Sequence, residues 1–521
     1  MNRRTNGYAL RFFLIVLVLS LVMGTAGSLA GLAAEKVLTI VSTSDFHGNL
    51  LPGQKDKATG RDLGGAAVMA AYIAGIRAQN PGGTLLLDDG DAMQGPPIST
   101  VFKGQPVMEF YNAVGYAAMA IGNHEFDWSL DTMKQRIAQA KFPVLSANIF
   151  NKADGRRPDW ARPYTMVTVN GLKVGIIGVS TVQTPVVTLP ENVKGLEFRD
   201  PAPVVNALVP ELKGRGADLV VVIAHLGGAQ DKSGAVTGEI ADLANAAKGV
   251  DAIFGGHTHT TVAGTVNGVP VLIPYYNGRA VGVTKLTYDT SSARVVKVEQ
   301  EVATTFADQV QPDAAAAAIV DKYNKDLAPK MAEVLGNAPA EILRNYDQES
   351  ALGNMVADIM REAAGTQIAF TNAGGLRTDI PAGPITLGKI WEVMPFDNTI
   401  VTMELTGAQV LEVLKNKSKG MVQSSGLKFK YDPAAPGDAR VVLEVALSNG
   451  KTLEPNQVYT VATNNFMATG GDNFTVFTGG KKVYDTNILI RDAMVNWLKA
   501  QTAAGRVIAP RVDGRALAVT K

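Results

Sequence analysis

The chain contains only five histidines, and each of them closely follows a short apolar run. They are His47, His124, His225, His257 and His259. In an α/β sheet the loops after parallel strands converge on one edge, where ligand and catalytic groups gather. A lone histidine is most often structural. Five histidines in equivalent positions instead favour a single shared site.

Residues with oxygen donors lie close to these histidines in the sequence. Asp45 and His47 are two residues apart, so both side chains project to the same side of an extended segment. The sequence GGHTH (255–259) repeats this spacing, and its glycines let the backbone approach closely. Asp91 in GDAMQG adds a carboxylate, and Asn123 in GNHE adds an amide. These residue types in loops predict a metal site.

The available donors restrict which metals can bind. The chain has no cysteine, which excludes disulfides, thiolate metal sites and iron–sulfur clusters. Imidazole, carboxylate and amide donors suit Zn, Mn, Fe or Co. Seven candidates exceed what one tetrahedral ion needs, so we expect two divalent ions. With His124 held back, the candidates are Asp45, His47, Asp91, Asn123, His225, His257 and His259.

The elements that must position these residues are those of an α/β fold. From Val37 to about Val302, short β-branched runs alternate with helical stretches. An Ala-rich stretch at 311–335 predicts a connecting helix, with Pro312 and Pro329 as helix boundaries. The remaining segment, from about Ala338 to Lys521, mixes strands and helices in an α+β pattern.

Charge and the N-terminus limit partners and location. Lys and Arg total 49 against 48 Asp and Glu, so no long-range positive field favours a nucleic acid polymer. Three arginines within residues 1–11 precede an apolar run at 12–23 and small residues up to Ala34, the order of a secretory signal. The alternative is an uncleaved anchor, since 12–34 carries no charge. We therefore expect a periplasmic or extracellular protein without stable membrane insertion, unless the signal stays uncleaved.

In chain order, the motifs DxH, GDxxxG, GNHE, AHxGG and GHTH resemble those of the calcineurin-like metallophosphoesterase superfamily. The resemblance implies an αββα sandwich in the first half. It implies a first metal ion bound by Asp45, His47, Asp91 and His259. It implies a second ion bound by Asp91, Asn123, His225 and His257, with Asp91 as the bridge.

The same resemblance assigns His124 and Asp127, in GNHEFDW, as a catalytic pair. His124 would face the scissile phosphate, and Asp127 would orient its ring and keep it charged. Two cations about 3.5–4 Å apart lower the pKa of a shared water and clamp phosphoryl oxygens. The resulting hydroxide is expected to attack phosphorus in line.

Two motifs of the second half, NAGGLR (372–377) and NNFMATGGDNF (464–474), resemble the substrate motifs of the 5'-nucleotidase C-terminal domain. The resemblance implies that this half binds the nucleotide. The implied contacts are amide hydrogen bonds from Asn372, a forked phosphate donor in Arg377, a stacking ring in Phe466 and a ribose acceptor in Asp472.

Two departures from the family pattern concern the substrate. Relatives carry an additional arginine just ahead of the ESALGN segment (349–354), where this chain has Tyr346, Asp347 and Gln348. Where relatives place the first of two base-stacking aromatics, this chain has Met421 or Val422. A thioether packs against a ring without the same stacking geometry, so Met421 is the candidate contact to the base.

The expected protein is an exported dinuclear-metal hydrolase that removes 5'-phosphate from nucleotides, with nucleotide sugars as further substrates. Alternatives are a 2',3'-cyclic-nucleotide phosphodiesterase, another phosphoesterase of the superfamily, or a surface binding protein that retains the fold. The predicted division is a signal at 1–34, a catalytic domain at 36–305, a linker helix at 306–336 and a substrate domain at 337–521. The native metal and the oligomeric state stay open.

Overall fold

The computed structural model describes residues 35–437 and 439–519. The predicted secretory signal at 1–34 lies outside the described residues. Among residues 35–437 and 439–519, we find no helix with the length and hydropathy of a membrane span.

The first half of the chain contains most of the strands. In chain order they are β1 (Glu35–Thr43), β2 (Gln54–Lys55), β3 (Asp62–Leu63), β4 (Thr84–Asp88), β5 (Ala118–Ala120), β6 (Val144–Leu145), β7 (Ile149–Asn151), β8 (Tyr164–Val169), β9 (Leu172–Ser180), β10 (Leu196–Phe198), β11 (Leu219–His225), β12 (Ala229–Gln230), β13 (Val236–Thr237), β14 (Ala252–Phe254), β15 (Thr261–Val266), β16 (Val269–Pro274), β17 (Ala280–Asp289) and β18 (Arg294–Thr304). Its helices are α1 (Ala66–Gln79), α2 (Pro97–Thr100), α3 (Gln105–Val114), α4 (Leu130–Gln139), α5 (Thr184–Val187), α6 (Pro201–Gly214) and α7 (Glu239–Ala246).

Two six-stranded sheets form the first half. Their strand orders are β18-β17-β1-β4-β5-β6 and β15-β16-β14-β11-β9-β8. The central strands of both sheets are parallel, and the antiparallel strands lie at the edges, β17 and β18 in the first sheet and β15 and β8 in the second; the edge strand β6 is parallel to β5. Strand β11 is buried along its whole length, as expected for a parallel strand covered on both faces.

Three apolar cores hold these layers together. One lies between the sheets and contains Ile40 of β1 and Val221 of β11. The other two lie outside, one under α1 and α3 and one under α6 and α7. This is an αββα sandwich, which confirms the predicted fold of the first half.

The segment predicted as one connecting helix is divided in the structure. It forms α8 (Ala314–Asn324) and α9 (Ala328–Met331), and the chain is already in a strand at Val334. Asp313 caps α8 by accepting a hydrogen bond from the amide of Ala316. Pro329 lies in the first turn of α9, where the missing amide hydrogen is tolerated, so a new helix begins there. Buried residues of α8 join the core under α1 and α3, so this helix packs against the first half.

The second half continues with β19 to β28 and α10 to α14. Its strands are β19 (Val334–Ala338), β20 (Ile368–Asn372), β21 (Gly383–Thr386), β22 (Thr399–Thr406), β23 (Val422–Ser425), β24 (Leu427–Asp432), β25 (Val441–Leu447), β26 (Val458–Asn464), β27 (Lys481–Leu489) and β28 (Ala516–Ala518). Its helices are α10 (Ala351–Ala364), α11 (Leu387–Val393), α12 (Gly407–Lys415), α13 (Asn465–Ala468) and α14 (Ile490–Ala503).

A mixed five-stranded sheet, ordered β23-β20-β26-β22-β27, organises the second half. Helix α10 packs on β20 and β23. Ser350 caps its first turn by accepting from the amide of Gly353 at 2.9 Å, and Gly365 ends it in the left-handed conformation. The predicted α+β character of this half is confirmed. The predicted boundaries at 305/306 and 336/337 stay a prediction.

Candidate metal centre and substrate cleft

The candidate metal ligands lie at one edge of the two stacked sheets. Asp45 and His47 follow β1, Asp91 follows β4 and Asn123 follows β5. From the second sheet, His225 is the last residue of β11, and the segment 255–259 follows β14. Because these strands are parallel, their carboxyl ends face the same edge. The seven candidates therefore come from loops far apart in sequence.

A first group that could hold a metal ion contains Asp45, His47 and His259. The Nε2 atoms of His47 and His259 are 3.0 Å apart, and Oδ1 of Asp45 lies 3.4 Å from Nε2 of His259. Burial lowers the pKa of His47 well below its usual value, so this ring is neutral, as a metal ligand must be. Two imidazole rings and a carboxylate converge on one point.

A second group contains Asp91, His225 and His257. Nε2 of His225 lies 3.0 Å from Oδ2 of Asp91 and 3.2 Å from Oδ1 of Asn123. Burial lowers the pKa of His257 to about 3. Oδ2 of Asp91 also lies 4.0 Å from Nε2 of His47 in the first group. Asp91 thus stands between the two groups, and Asn123 adjoins the second.

Backbone carbonyl oxygens orient two of the histidine rings through their Nδ1 atoms. Nδ1 of His47 lies 2.9 Å from the carbonyl oxygen of Gln94, and Nδ1 of His225 lies 3.0 Å from that of Asp89. A carbonyl can only accept, so each Nδ1 carries the hydrogen. In the neutral ring that binds a metal, Nε2 therefore keeps its lone pair, directed at its metal group. Nitrogen and oxygen donors in this arrangement fit a pair of divalent transition metal ions.

The loops that carry the ligands hold a strained backbone. Five of the seven candidates have a positive φ: Asp45 at 48°, His47 at 46°, Asp91 at 54°, His257 at 70° and His259 at 56°. Non-glycine residues seldom adopt this region, and such conformations cluster at functional sites. The strain turns the side chains toward the sheet edge.

Neighbouring glycines allow the loops to pack closely. A Cβ on Gly122 would lie 2.2 Å from Oδ1 of Asp91, and one on Gly256 would lie 2.6 Å from Oδ2 of Asp45. Both carboxylates therefore occupy space that any other residue type would fill.

His124 and Asp127 form a hydrogen-bonded pair beside the metal groups. Nδ1 of His124 lies 2.7 Å from Oδ2 of Asp127. The hydroxyl of Thr188 donates to the other carboxylate oxygen at 3.1 Å. Burial alone would lower the pKa of His124, but the carboxylates of Asp127 and Asp91 more than offset it and raise that pKa.

The second half contributes a polar chain to the same region. Asn464 donates from Nδ2 to Oδ1 of Asn372 at 3.0 Å, and Asn372 donates from Nδ2 to Oδ2 of Asp472 at 2.7 Å. Burial raises the pKa of Asp472 to about 6, although Asn372 and nearby cations oppose this. The second carboxylate oxygen of Asp472 stays available to a ligand.

Arg377 points its charge toward the metal side of the cleft. Burial and the nearby charge of Arg344 lower its pKa, while Asp91, Asp127 and Asp45 of the first half act in the opposite direction. Among the described residues, no acceptor hydrogen-bonds its guanidinium. Its planar donors are therefore free for an anion.

Of the two residues expected to contact a base, Met421 is placed differently from the sequence-based prediction. Met421 is 1% exposed and packs in an apolar core, so it offers no face to a ligand. Tyr346, which the sequence did not mark as a contact, is 41% exposed. A Cβ on Gly374 would lie 3.9 Å from the ring of Tyr346 and 3.8 Å from Oδ2 of Asp472. Phe466 is half-buried against Gly471.

Met421 is buried because its backbone pairs with Tyr346, whose ring packs on the preceding residue, Gly420. Its amide donates to the carbonyl of Tyr346 at 2.8 Å, and the Tyr346 ring covers Gly420. The backbone pairing turns the thioether inward. Only the position of Tyr346, the single aromatic residue just ahead of ESALGN, could have suggested this role from sequence.

Two further contacts join the halves. Nζ of Lys419 donates to Oε1 of Gln183 in the first half. Nζ of Lys57 in the first half lies 3.2 Å from Oδ2 of Asp379. No motif marked these residues. Both contacts bridge the first and second halves of the chain.

Comparisons with known proteins agree with this architecture. A family model described as calcineurin-like phosphoesterase matches residues 38–261, and one described as 5'-nucleotidase, C-terminal domain, matches residues 331–479. Endonuclease YhcR of Bacillus subtilis (strain 168) is 30% identical over 462 residues, which is 83% of this chain. The match spans only 37% of YhcR, so this chain corresponds to part of that protein.

Two other relatives match over greater shares of their length. Cell wall protein Lmo0130 of Listeria monocytogenes is 28% identical over 96% of this chain and 72% of its own length. The crystal structure of a 5'-nucleotidase precursor from Thermus thermophilus is 30% identical, with a TM-score of 0.82 over 93% of this chain and 100% of that one. Since both domain models match and the Thermus thermophilus structure is similar over its whole length, and since two groups could hold metal ions, the chain belongs to the 5'-nucleotidase family of metal-dependent phosphoester hydrolases.

Proposed function

We propose that this chain is an exported hydrolase that removes the 5'-phosphate from nucleotides. The observation that carries the proposal is that polar groups of the two halves lie within electrostatic range of one another: Asp91 and Asp127 act on Arg377, and His124 acts on Asp472, to which Asn372 donates. A nucleotide has an anionic end and a planar, hydroxyl-bearing end. The cleft offers donors and cations at one side and rings and a carboxylate at the other.

Two groups would hold the metal ions. Asp45, His47 and His259 would hold one, and His225, His257 and Asn123 the other, with Asp91 between them. When bound, two divalent cations supply Lewis acidity, which lowers the pKa of water and neutralises phosphoryl charge. Zn, Mn, Co and Fe all suit these donors.

The protein's own groups would supply the remaining chemistry. His124 is held by Asp127 with Nε2 directed away from that contact, so a proton on Nε2 can be donated to the transferring phosphoryl group or the leaving oxygen. Arg377 would bind the phosphate with its free planar donors. His124 and Arg377 would stabilise the transition state more than the bound substrate, because negative charge on the phosphoryl group and the leaving oxygen increases near them.

The nucleoside end would rest on the second half. The free carboxylate oxygen of Asp472 would accept hydrogen bonds from ribose hydroxyls. The exposed ring of Tyr346 and the half-buried ring of Phe466 would contact the base, in place of Met421. Because an aromatic ring can stack on any nucleobase, we expect the protein to discriminate only modestly among nucleotides with different bases.

Export is proposed on the sequence of residues 1–34 together with the name of the relative Lmo0130, a cell wall protein. A periplasmic or extracellular location follows from it. A reporter protein fused to residues 1–34 tests this directly. We expect it to be exported, and we expect a fusion that lacks the apolar run 12–23 to stay inside the cell.

A substrate panel tests the proposed reaction. Protein reconstituted with Mn²⁺ or Co²⁺ is assayed on AMP, UDP-glucose, 2',3'-cyclic AMP and bis-p-nitrophenyl phosphate. We expect phosphate release from AMP with the highest kcat/KM. Preference for 2',3'-cyclic AMP would favour a phosphodiesterase instead. The His124→Ala variant is the control, and we expect a fall in kcat of about 10²- to 10⁴-fold with unchanged metal content.

A further inference from the structure

His124 and Asp127 are joined by a single turn of 3₁₀ helix, which comprises His124–Phe126. In such a turn the side chains at positions i and i+3 lie directly above one another, so the imidazole and the carboxylate meet. The turn itself is weakly held, because the amide of Asp127 donates to the carbonyl of His124 at 3.3 Å and 3₁₀ hydrogen bonds have poor geometry. The pair therefore needs support from another part of the chain.

The carboxylate of Asp127 has one protein contact on each oxygen. Oδ2 lies 2.7 Å from Nδ1 of His124, and Oδ1 accepts from the hydroxyl of Thr188 at 3.1 Å. Rotation about the terminal torsion of an aspartate is only weakly restricted, so the backbone alone does not fix the carboxylate plane. Thr188 is 2% exposed, so water competes little for its hydroxyl. The two contacts together set the plane in which Asp127 meets the imidazole.

The segment that carries Thr188 also holds the backbone of the turn. We call residues 181–193 the bridging segment. Nδ2 of Asn192 donates to the carbonyls of Phe126 and Asp127 at 2.8 and 3.0 Å. Val193 is buried in the core under α1 and α3. One anchored segment thus binds both the main chain of the turn and the side chain at its end.

The other end of the bridging segment meets the substrate-binding half. Oε1 of Gln183 accepts from Nζ of Lys419. Helix α5 (Thr184–Val187) packs against residues 471–473, which include Asp472. The amide of Thr188 donates to the carbonyl of Thr184 at 3.1 Å, so Thr188 directly follows this contact. The bridging segment therefore lies between the catalytic pair and a substrate motif.

We propose that Thr188 is a positioning residue for the catalytic pair. Its hydroxyl fixes the carboxylate of Asp127, and the carboxylate in turn holds the imidazole of His124 with Nε2 directed at the phosphate. This inference rests on the proposed function of His124. Without the hydroxyl, the carboxylate can rotate and the imidazole can tilt with it. Misplacement of a catalytic group by about 1 Å can cost on the order of 10²-fold in rate.

A double-mutant cycle tests the proposal. The wild type, Thr188→Val, Asp127→Ala and the double variant are assayed on AMP as metal-loaded protein. Valine replaces the hydroxyl by a methyl group of similar size, so we expect kcat to fall by about 5- to 20-fold and KM to change by less than about threefold. In the Asp127→Ala background the same substitution should change kcat by less than about twofold, because the carboxylate on which it acts is gone.

Two control variants separate positioning from packing. Thr188→Ser retains the hydroxyl and should keep kcat within about threefold of the wild type. Thr184→Val is the matched substitution, since the hydroxyl of Thr184 is equally buried on the same segment and donates to the carbonyl of Thr181 at 2.8 Å. It should leave kcat unchanged. The unfolding temperature and the metal content of each variant are measured alongside, and we expect two ions in all of them.

Three results would overturn the proposal. An unchanged kcat in Thr188→Val would mean that the hydroxyl does not restrain the pair. An equal loss with and without the carboxylate of Asp127 would mean that Thr188 acts by another route. The same loss in Thr184→Val would assign the effect to packing of the segment. If wild-type protein does not turn over AMP, the proposed function fails, and the cycle is run on bis-p-nitrophenyl phosphate, where it still tests Thr188.

Discussion

At the scale of single residues, the candidate metal ligands differ in backbone conformation from the two asparagines of the second half. Asp45, His47 and Asp91 have left-handed backbones, while Asn372 and Asn464 lie in or at the ends of ordinary strands. The strain is consistent with side chains that must converge on a cation. The strand residues need only present hydrogen-bonding groups.

Tyr346 gives the most direct prediction for the nucleoside end. We expect Tyr346→Ala to raise KM for AMP by about tenfold, because base–aromatic stacking contributes about 1–3 kcal/mol. Tyr346→Phe should retain most of the affinity. Kinetics on ribose 5-phosphate, which has no base, should be unaffected by either change. Met421→Leu, a substitution in the core, should leave KM for AMP unaltered, and the opposite pattern would restore Met421 as the contact.

The buried carboxyl of Asp472 predicts a pH effect of known sign. Its pKa is raised to about 6 in the folded protein, against 3.8 ordinarily. Between these pH values the folded state binds a proton that the unfolded state lacks, so stability from this group falls as pH rises from about 4 to about 6. Asp472→Asn should therefore raise the unfolding temperature at pH 7 and leave it nearly unchanged at pH 4. Asparagine also tolerates the positive φ of 52° at this position.

The same substitution should weaken substrate binding. We expect KM for AMP to increase in Asp472→Asn, and KM of the wild type to increase as pH falls below about 6, since protonation removes an acceptor. A wild-type KM that is flat from about pH 5 to about pH 8 would contradict the assignment.

At the scale of elements, the site depends on tight contacts between loops that follow β4 and β5. We expect Gly122→Ala to lower metal stoichiometry from two ions toward one or none, because its Cβ would lie 2.2 Å from Oδ1 of Asp91. Gly75→Ala in helix α1 is the matched control, since its Cβ would have no neighbour within 4 Å. That variant should keep both ions and gain about 0.5–1 kcal/mol of stability. Full metal occupancy in Gly122→Ala would contradict the geometry.

Much of the element pattern could be predicted from sequence. Apolar β-branched runs predicted the central strands, because buried parallel strands need little else to be recognised. The Ala-rich composition at 311–335 predicted one connecting helix, whereas the structure has two, and the second begins beside Pro329, which had been predicted as a helix boundary. Positive φ at the ligands could not be predicted, because it results from packing between loops distant in sequence. The same is true of the turn that buries Met421 and exposes Tyr346.

At the scale of the whole molecule, two halves with separate cores make one cleft. The first half contains both groups that could hold a metal ion and the pair His124–Asp127, and the second contains Arg377, Asp472 and the aromatic rings. The resemblance of the motifs predicts that the first half binds metal and the second binds substrate. The contacts that seat one half on the other, such as Lys419 with Gln183, involve no motif and emerge only from the structure.

The most direct measurement is the ratio of kcat/KM for AMP to that for ribose 5-phosphate, on metal-loaded chain lacking residues 1–34. Both substrates present a 5'-phosphate to the metal-binding half, and only AMP has a base for the second half to hold. We predict that AMP is favoured by about 10- to 100-fold, in line with the stacking contribution of one base. Equal values for the two substrates, or turnover of neither, would contradict a nucleotidase built from both halves.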